Sequence, residues 1–302
     1  MDVKYKLTVA ILTRNRADQL REAIESCLEA SLPIATQFIV VDNASTDCTQ
    51  DVVEELKQRM PYSLVYHKEN ENLGVGGGRN RLFDLAEGEY VYFLDDDAII
   101  NPKDKDNFFL SAIEYLDAHT QVASLTTQII DEIFGVSRTE TAQTKQIGGK
   151  PIAMRYCGGS HFLRKSCFSS PLYFNLQYGA EEDLPSIRAI DQGFYHVIDN
   201  EISIIHKPRT NKWVDGTEKM KDILVKAVSN VYATKKLLYP VIFYPILYLG
   251  YKRRCKKHLS AYLGAKIEAK ETVRNIIKNN KVKKIKLSTV IKMYRDFGMT
   301  VF

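Results

Sequence analysis

Residues 90–100 read YVYFLDDDAII. An aromatic and aliphatic run ends at Leu94. Three carboxylates follow, Asp95, Asp96 and Asp97, and then AII resumes. The run is continuous rather than alternating, which is the pattern of a strand buried on both faces. Adjacent like charges repel, so a buried strand that leads into three of them needs nearby positive charge. A divalent cation supplies it. The stretch therefore predicts a Mg2+ or Mn2+ site that also holds a diphosphate. The plain alternative is a solvated turn, which the apolar flanks disfavour.

Working outward, strands alternate with helices. KLTVAIL (6–12), QFIVVD (37–42), YSLVYH (62–67) and EYVYFLD (89–95) read as strands. Residues 17–30 and 45–60 carry apolar residues at helical spacing, and 77–86 form a short helix. Asn101 and Pro102 read as the cap and first-turn proline of a helix running to about Asp117. The pattern predicts an α/β fold, a mainly parallel sheet flanked by helices. Open parallel sheets bind ligands at the carboxyl ends of their strands. Polar clusters stand at those ends: TRNR (13–16), DNASTD (42–47), ENLGVGGGRNR (71–81) and DDD. The glycine run is not a dinucleotide fingerprint, because Arg79 stands where the last glycine should be and the run follows the third strand. DNASTD by itself could be only a turn and helix cap.

Composition narrows the class. The chain has 302 residues, 45% of them hydrophobic, enough for a sizeable core. Five scattered cysteines with no C-x-x-C pair read as reduced thiols, without a zinc site, in a cytosolic compartment. The amino-terminal segment lacks the apolar core of a signal peptide, and no run is long enough to span a bilayer.

The set T-x-N-R, V-D-N-x-S-x-D, N-x-G-x-x-x-x-R-N and an Asp-rich strand end resembles glycosyltransferase family 2, with its GT-A fold, over about residues 6–100. CGGSHFLR (157–164), AEEDLPSIRAIDQGF (180–194) and IIHKP (204–208) extend the likeness to about residue 215. The resemblance implies metal-dependent, inverting transfer from a nucleotide-diphosphate sugar, UDP- or dTDP-linked. It places Thr13, Asn15, Asp42, Asn43, Gly74, Arg79 and Asp96 around the nucleotide sugar. It makes Asp95, Asp97 and His206 the ligands of Mn2+ or Mg2+, and Gly158 and Gly159 a floor for sugar or acceptor. It makes Asp183 the first choice for catalytic base and Glu182 the second. Arg14 stands where many members carry an aromatic residue that stacks on the base; a guanidinium stacks too. Each assignment has a plainer counterpart. An acid of EED could merely pair with Arg188, His206 could be structural, and the glycines could mark a bulge.

The carboxyl-terminal third differs in kind. Residues 213–238 read as a helix, and 239–257 are dense in aromatics and end in cations. Residues 252–286 hold 13 Lys and Arg against 2 Glu, a net of +11, leaving −6 on the remainder. This predicts a helical basic extension that meets an anionic membrane surface, not nucleic acid; the plain reading is a helix packed on the catalytic body. The expected organisation is a nucleotide-sugar-binding part (1–100), an acceptor-binding and catalytic part of the same domain (101–215) and the extension (216–302). The expected function is transfer to a glycan or lipid-linked acceptor of surface polysaccharide synthesis, at the cytoplasmic face of the cell membrane. The alternatives are a sugar-nucleotide pyrophosphorylase and an inactive nucleotide-binding membrane adaptor.

Overall fold

The computed structural model describes residues 4–132, 145–208 and 217–302. Strands β1 (Tyr5–Thr13), β2 (Thr36–Asp42), β3 (Ser63–Lys68) and β4 (Gly88–Asp95) alternate with helices α1 (Ala17–Leu28), α2 (Thr49–Arg59) and α3 (Gly74–Leu85). After β5 (Ala98–Ile100) come α4 (Phe108–Ala118), β6 (Val122–Asp131), β7 (Gln146–Ile147), β8 (Lys150–Ala153) and β9 (Ser160–Arg164). Then follow α5 (Asp183–Asp191), β10 (Tyr195–His206), α6 (Glu218–Leu238), α7 (Tyr244–Leu259), α8 (Ala265–Asn279) and α9 (Leu287–Phe297).

The sheet order is β3-β2-β1-β4-β9-β6-β10-β8-β7, with β5 paired to β10. Strands β3, β2, β1 and β4 are parallel, and β9 is antiparallel to both β4 and β6. Strands on both sides of residue 100 thus share one sheet; the expected boundary at 215/216 lies outside the described residues. The chain leaves β1 for β2 on one side and later fills the other side with β4. The crevice at the carboxyl end of β1 is therefore the switch point where ligands of such sheets bind.

The continuous apolar runs are buried on both faces, as their lack of alternation requires. Leu7, Val9 and Ile11 pack with α1, α2 and α4 on one side. Ala10, Val91 and Phe93 pack with Leu82 and Phe83 of α3 on the other. A separate cluster joins Leu184 and Ile187 of α5 to Val228, Tyr239, Leu247, Tyr251 and Val290 of the carboxyl-terminal helices.

Two expectations change. The helix predicted from residue 101 begins at Phe108, after turns. Asp104 supplies the reason: its carboxylate accepts from the backbone N–H of Ser203 at 2.8 Å and from its hydroxyl at 2.6 Å. That tether holds residues 102–107 in turns. The helix predicted over 213–238 is seen from Glu218, and residues 213–216 lie outside the described ones. Strand β10 pairs with β6 along its length but breaks register between Asp199 and Ser203. Before the break its other neighbour is β8; after it, β5, with His206 opposite Ala98.

Candidate active site

A cleft of about 650 Å³ opens at the carboxyl ends of β1 and β4. Backbone pairing builds its floor. Leu94 faces Ser160 across the β4–β9 ladder, and the N–H of Asp95 donates to the carbonyl of Gly159 at 3.1 Å. The acidic turn and the Gly158–Gly159 step are thereby fixed to each other before any side chain acts. Thr13, Asn43, Gly74, Arg79, Asp95, Asp96, Asp97, Gly158, Gly159, Glu182 and His206 all line this cleft.

Protein cations answer the charge of the three aspartates. Arg16 donates through one nitrogen to Asp96 and Asp97, at 2.6 Å each, and the Thr13 hydroxyl donates to Asp96 at 2.8 Å. Arg79, 5% exposed, donates to Asp95 at 2.8 Å, to Glu181 at 3.3 Å and to Glu182 at 3.4 Å. It also donates to the Gly158 carbonyl at 2.9 Å. Nε2 of His206 lies 3.3 Å from Asp97 and Nδ1 lies 3.1 Å from Asp131. Burial opposes its charge, but the Asp97 and Asp131 carboxylates raise the imidazolium to about 9. Burial pushes Asp96 up to about 6, against the pull of Arg16.

The acids of 181–183 separate by environment. Asp183 is 1% exposed at the start of α5, salt-bridged to Arg155 at 3.0 Å, and absent from the cleft lining. Asp183, the first choice of base, is thus engaged by Arg155 in this geometry. Glu181 and Glu182 line the cleft. Glu182 lies beneath Gly158, where an added Cβ would fall 2.2 Å from Oε1 of Glu182 and 2.7 Å from Nη1 of Arg79. Only glycine lets that floor approach the acid so closely. Burial, then the charge of Glu181, push Glu182 up to about 8.

Other expected residues hold the walls. Asp42 is fully buried; one of its oxygens accepts from the Tyr66 hydroxyl at 2.7 Å and the other from the Ser45 N–H at 2.7 Å. The Asn15 side chain accepts from the Thr46 N–H at 2.7 Å. These hydrogen bonds brace the loops that follow β1 and β2, beside the cleft-lining Thr13 and Asn43. Asn43 bridges Asn72 and the carbonyl of Gly74, at 2.9 and 3.2 Å. Arg79, expected at the nucleotide, lines the same cleft, and its guanidinium holds the acids and the floor. The helix of GVGGG lies close under the chain at 174–177; a Cβ on Gly76 would fall 2.1 Å from the Phe174 carbonyl. Sequence reading missed Arg16, although it lies in TRNR, and Glu181, although it lies in EED. It also missed Lys219 and Asp222 of α6, which reach the cleft mouth without any local motif.

The donor set of Asp95, Asp97 and His206 is chemically suited to Mn2+ or Mg2+, and Asp131 on the far nitrogen of His206 is the partner that orients a ligating imidazole. Among the described residues, no three such side chains are drawn together as a formed metal cluster. Arg16, Arg79 and the imidazolium compensate the acids instead.

Known proteins agree with this frame. A Campylobacter jejuni protein named GalNAc(5)-diNAcBac-PP-undecaprenol beta-1,3-glucosyltransferase is 36% identical over 92 residues, 30% of this chain and 29% of that protein. Matches to curated relatives span only 12% to 37% of the relatives' own lengths. The solved structure of S. aureus TarS 1–349 with UDP-GlcNAc superposes with a TM-score of 0.62 at 17% identity, covering 98% of this chain and 89% of that one. The mannosyltransferase PcManGT of Pyrobaculum calidifontis, solved with GDP-Man and Mn2+, gives a TM-score of 0.61 at 17% identity, covering 98% and 81%. These likenesses establish the GT-A fold. The family model described as glycosyl transferase family 2 matches residues 8–169, more than half of the chain, from within β1 to beyond β9. On that match, set on a cleft built from the same strand ends, the chain belongs to glycosyl transferase family 2.

Proposed function

We propose that the protein transfers a sugar, with inversion, from a UDP- or dTDP-linked donor to a hydroxyl of a glycan or lipid-linked acceptor in surface polysaccharide synthesis. The observation that carries this reading is the single cleft in which the acidic turn, the glycine floor and the Arg79-held glutamates meet. The nucleotide lies along the wall of Thr13, Asn43 and Gly74, with the exposed Arg14 stacking on the base. Asp96 faces the ribose or diphosphate. Asp95, Asp97 and His206 would hold a divalent cation, which when bound would stabilise the charge that develops on the departing diphosphate.

The chain's own groups do the rest. Glu182 is the general base, because it is the acid that meets both the cleft and the Gly158 floor. Its raised proton affinity suits it to take a proton from a hydroxyl near neutral pH. Arg79 fixes Glu182 relative to Asp95, so acceptor side and donor side are held by one guanidinium. The floor of buried Gly158 and half-buried Gly159 excludes water beneath the sugar. Lys219 and Asp222 at the mouth meet the acceptor. The relative acting on an undecaprenol-linked glycan and the basic extension both support a location on the inner face of the cell membrane.

The test is a donor screen with UDP- and dTDP-sugars and Mn2+. Sugar transfer or slow donor hydrolysis is the expected result. Exchange of label between diphosphate and nucleotide sugar would point to a pyrophosphorylase instead, and binding without turnover to an inactive adaptor.

A further inference from the structure

The carboxyl-terminal helices use one set of residues for packing and leave a different set outside. Leu247, Tyr251, Cys255 and Leu259 of α7 are buried, with Tyr251 stacked on Tyr232 of α6 at 4.4 Å. On the opposite face, and on the turn entering the helix, Val241 is 63% exposed, Ile242 73%, Tyr248 48% and Leu249 60%. Lys252, Arg253, Lys256 and Lys257 continue this same exposed face. The ammonium of Lys252 lies over the ring of Tyr248, 5.3 Å from its centroid, where the apolar half gives way to the cationic half. Phe302 ties the face to α9, its ring 5.7 Å from Phe243 and 6.0 Å from the exposed Tyr294.

Single exposed aliphatic residues are ordinary on a protein surface. Two on the entry turn and two on the first turns of α7, followed by four cations on the exposed side of that helix, are not. The 16 residues of α7 are too few to cross a bilayer, and no described helix is long and apolar enough to do so. A helix with this division lies in the plane of a membrane surface, apolar residues among the acyl chains and cations at the headgroups. The net charge of +11 over residues 252–286 specifies the sign of that surface.

We propose that the exposed face of α7 and its entry turn docks on an anionic lipid bilayer, with Ile242 and Leu249 inserted and Lys252, Arg253, Lys256 and Lys257 against the headgroups. The proposal refines the membrane location given above. Its test needs neither donor nor acceptor, so it can fail while glycosyl transfer stands. The reverse also holds, since docking would survive the loss of activity.

The full chain is sedimented with vesicles of phosphatidylcholine mixed with phosphatidylglycerol, and with phosphatidylcholine alone. Binding to the mixed vesicles at low salt, with a salt-resistant remainder, is expected. Reversing the four cations to Glu should lower partitioning by more than about tenfold, each cation near an anionic leaflet being worth about fivefold. Ile242→Ser with Leu249→Ser should leave low-salt binding and remove the salt-resistant remainder. Both variants alter exposed positions, so their melting temperatures and nucleotide affinity should match the parent protein's. Wild-type protein that ignores the mixed vesicles overturns the proposal. So does a dimer in analytical ultracentrifugation that Ile242→Ser with Leu249→Ser abolishes, which would make the face a contact with a second copy. Binding of soluble polyphosphate that depends on the cations, with vesicle binding indifferent to Ile242 and Leu249, would assign the lysines to a polyanion and overturn it as well.

Discussion

Two residues of the cleft show how position sets chemistry. Glu182 carries its proton to about pH 8, because burial and then Glu181 penalise its charge, whereas its ordinary value is 4.5. Between those values the folded protein holds a proton that the unfolded chain has released, so this group lowers stability as pH rises through the window. Glu182→Gln removes that titration. Thermal melts should show the variant gaining on the wild type from pH 4.5 towards pH 8. Product assays should show transfer lost while donor affinity stays nearly unchanged. Asp183→Asn should behave in the opposite way, weakening the fold through Arg155 while leaving the pH dependence of transfer in place. Asp97 differs, being shared by Arg16 and His206. In titration calorimetry Asp97→Asn should weaken Mn2+ binding by more than about tenfold, since even outer-shell partners of a metal are worth that much. Unchanged Mn2+ binding would remove Asp97 from the ligand set.

At the scale of elements, α6 belongs to the site although its sequence announces only packing. Asn230, buried on α6, donates to the carbonyls of Tyr178 at 2.9 Å and Gly179 at 2.6 Å. The loop that carries Glu181 and Glu182 is thus fastened from a helix some fifty residues downstream. Asn230→Ala leaves two carbonyls without their donor and should cost about 1–3 kcal/mol in chemical denaturation. It should also lower kcat more than it raises KM, because the acid loses its anchor while the nucleotide wall does not. The same contrast explains what could be read beforehand. The acidic turn is legible because it closes a strand, and strand ends are set by local apolar pattern; the glycine step before β9 and Glu182 before α5 are legible through their motifs alone. Arg16 was passed over because a counter-ion reveals itself only when two strand ends are brought side by side. Asp42 and Asn15 are legible as motif residues, whereas the hydrogen bonds by which they close their turns are not. Lys219 and Asp222 had no signature at all, since the path of α6 past the cleft is a long-range fact. The start of α4 was misplaced for a similar reason, the tether from Asp104 to Ser203 spanning about a hundred positions.

For the whole molecule, the carboxyl-terminal helices are not a detachable tail. Leu184 and Ile187 of α5 share one buried cluster with Tyr239, Leu247, Tyr251 and Val290. Phe302, the last residue, packs against Phe243, and the Tyr239 hydroxyl donates to the Val301 carbonyl at 2.8 Å. A chain stopped after Leu238 should therefore lose cooperative melting and near-ultraviolet circular dichroism rather than yield a trimmed enzyme. Sharp two-state melting of that fragment would contradict this. Only one face of α7 is free to meet another surface, and the rest is committed to the core. The broken register of β10 has its own reach. Residues 200–202 leave the ladder with β6, and on either side of that gap the strand answers to a different neighbour. A residue gained or lost near β8 can be taken up in this slack. Beyond it, the pairing of His206 with Ala98 keeps the imidazole in step with Asp97, one position away. The sheet's outer edge can thus change length like the free end of a belt past its buckle, while the spacing at the acidic turn stays as it was.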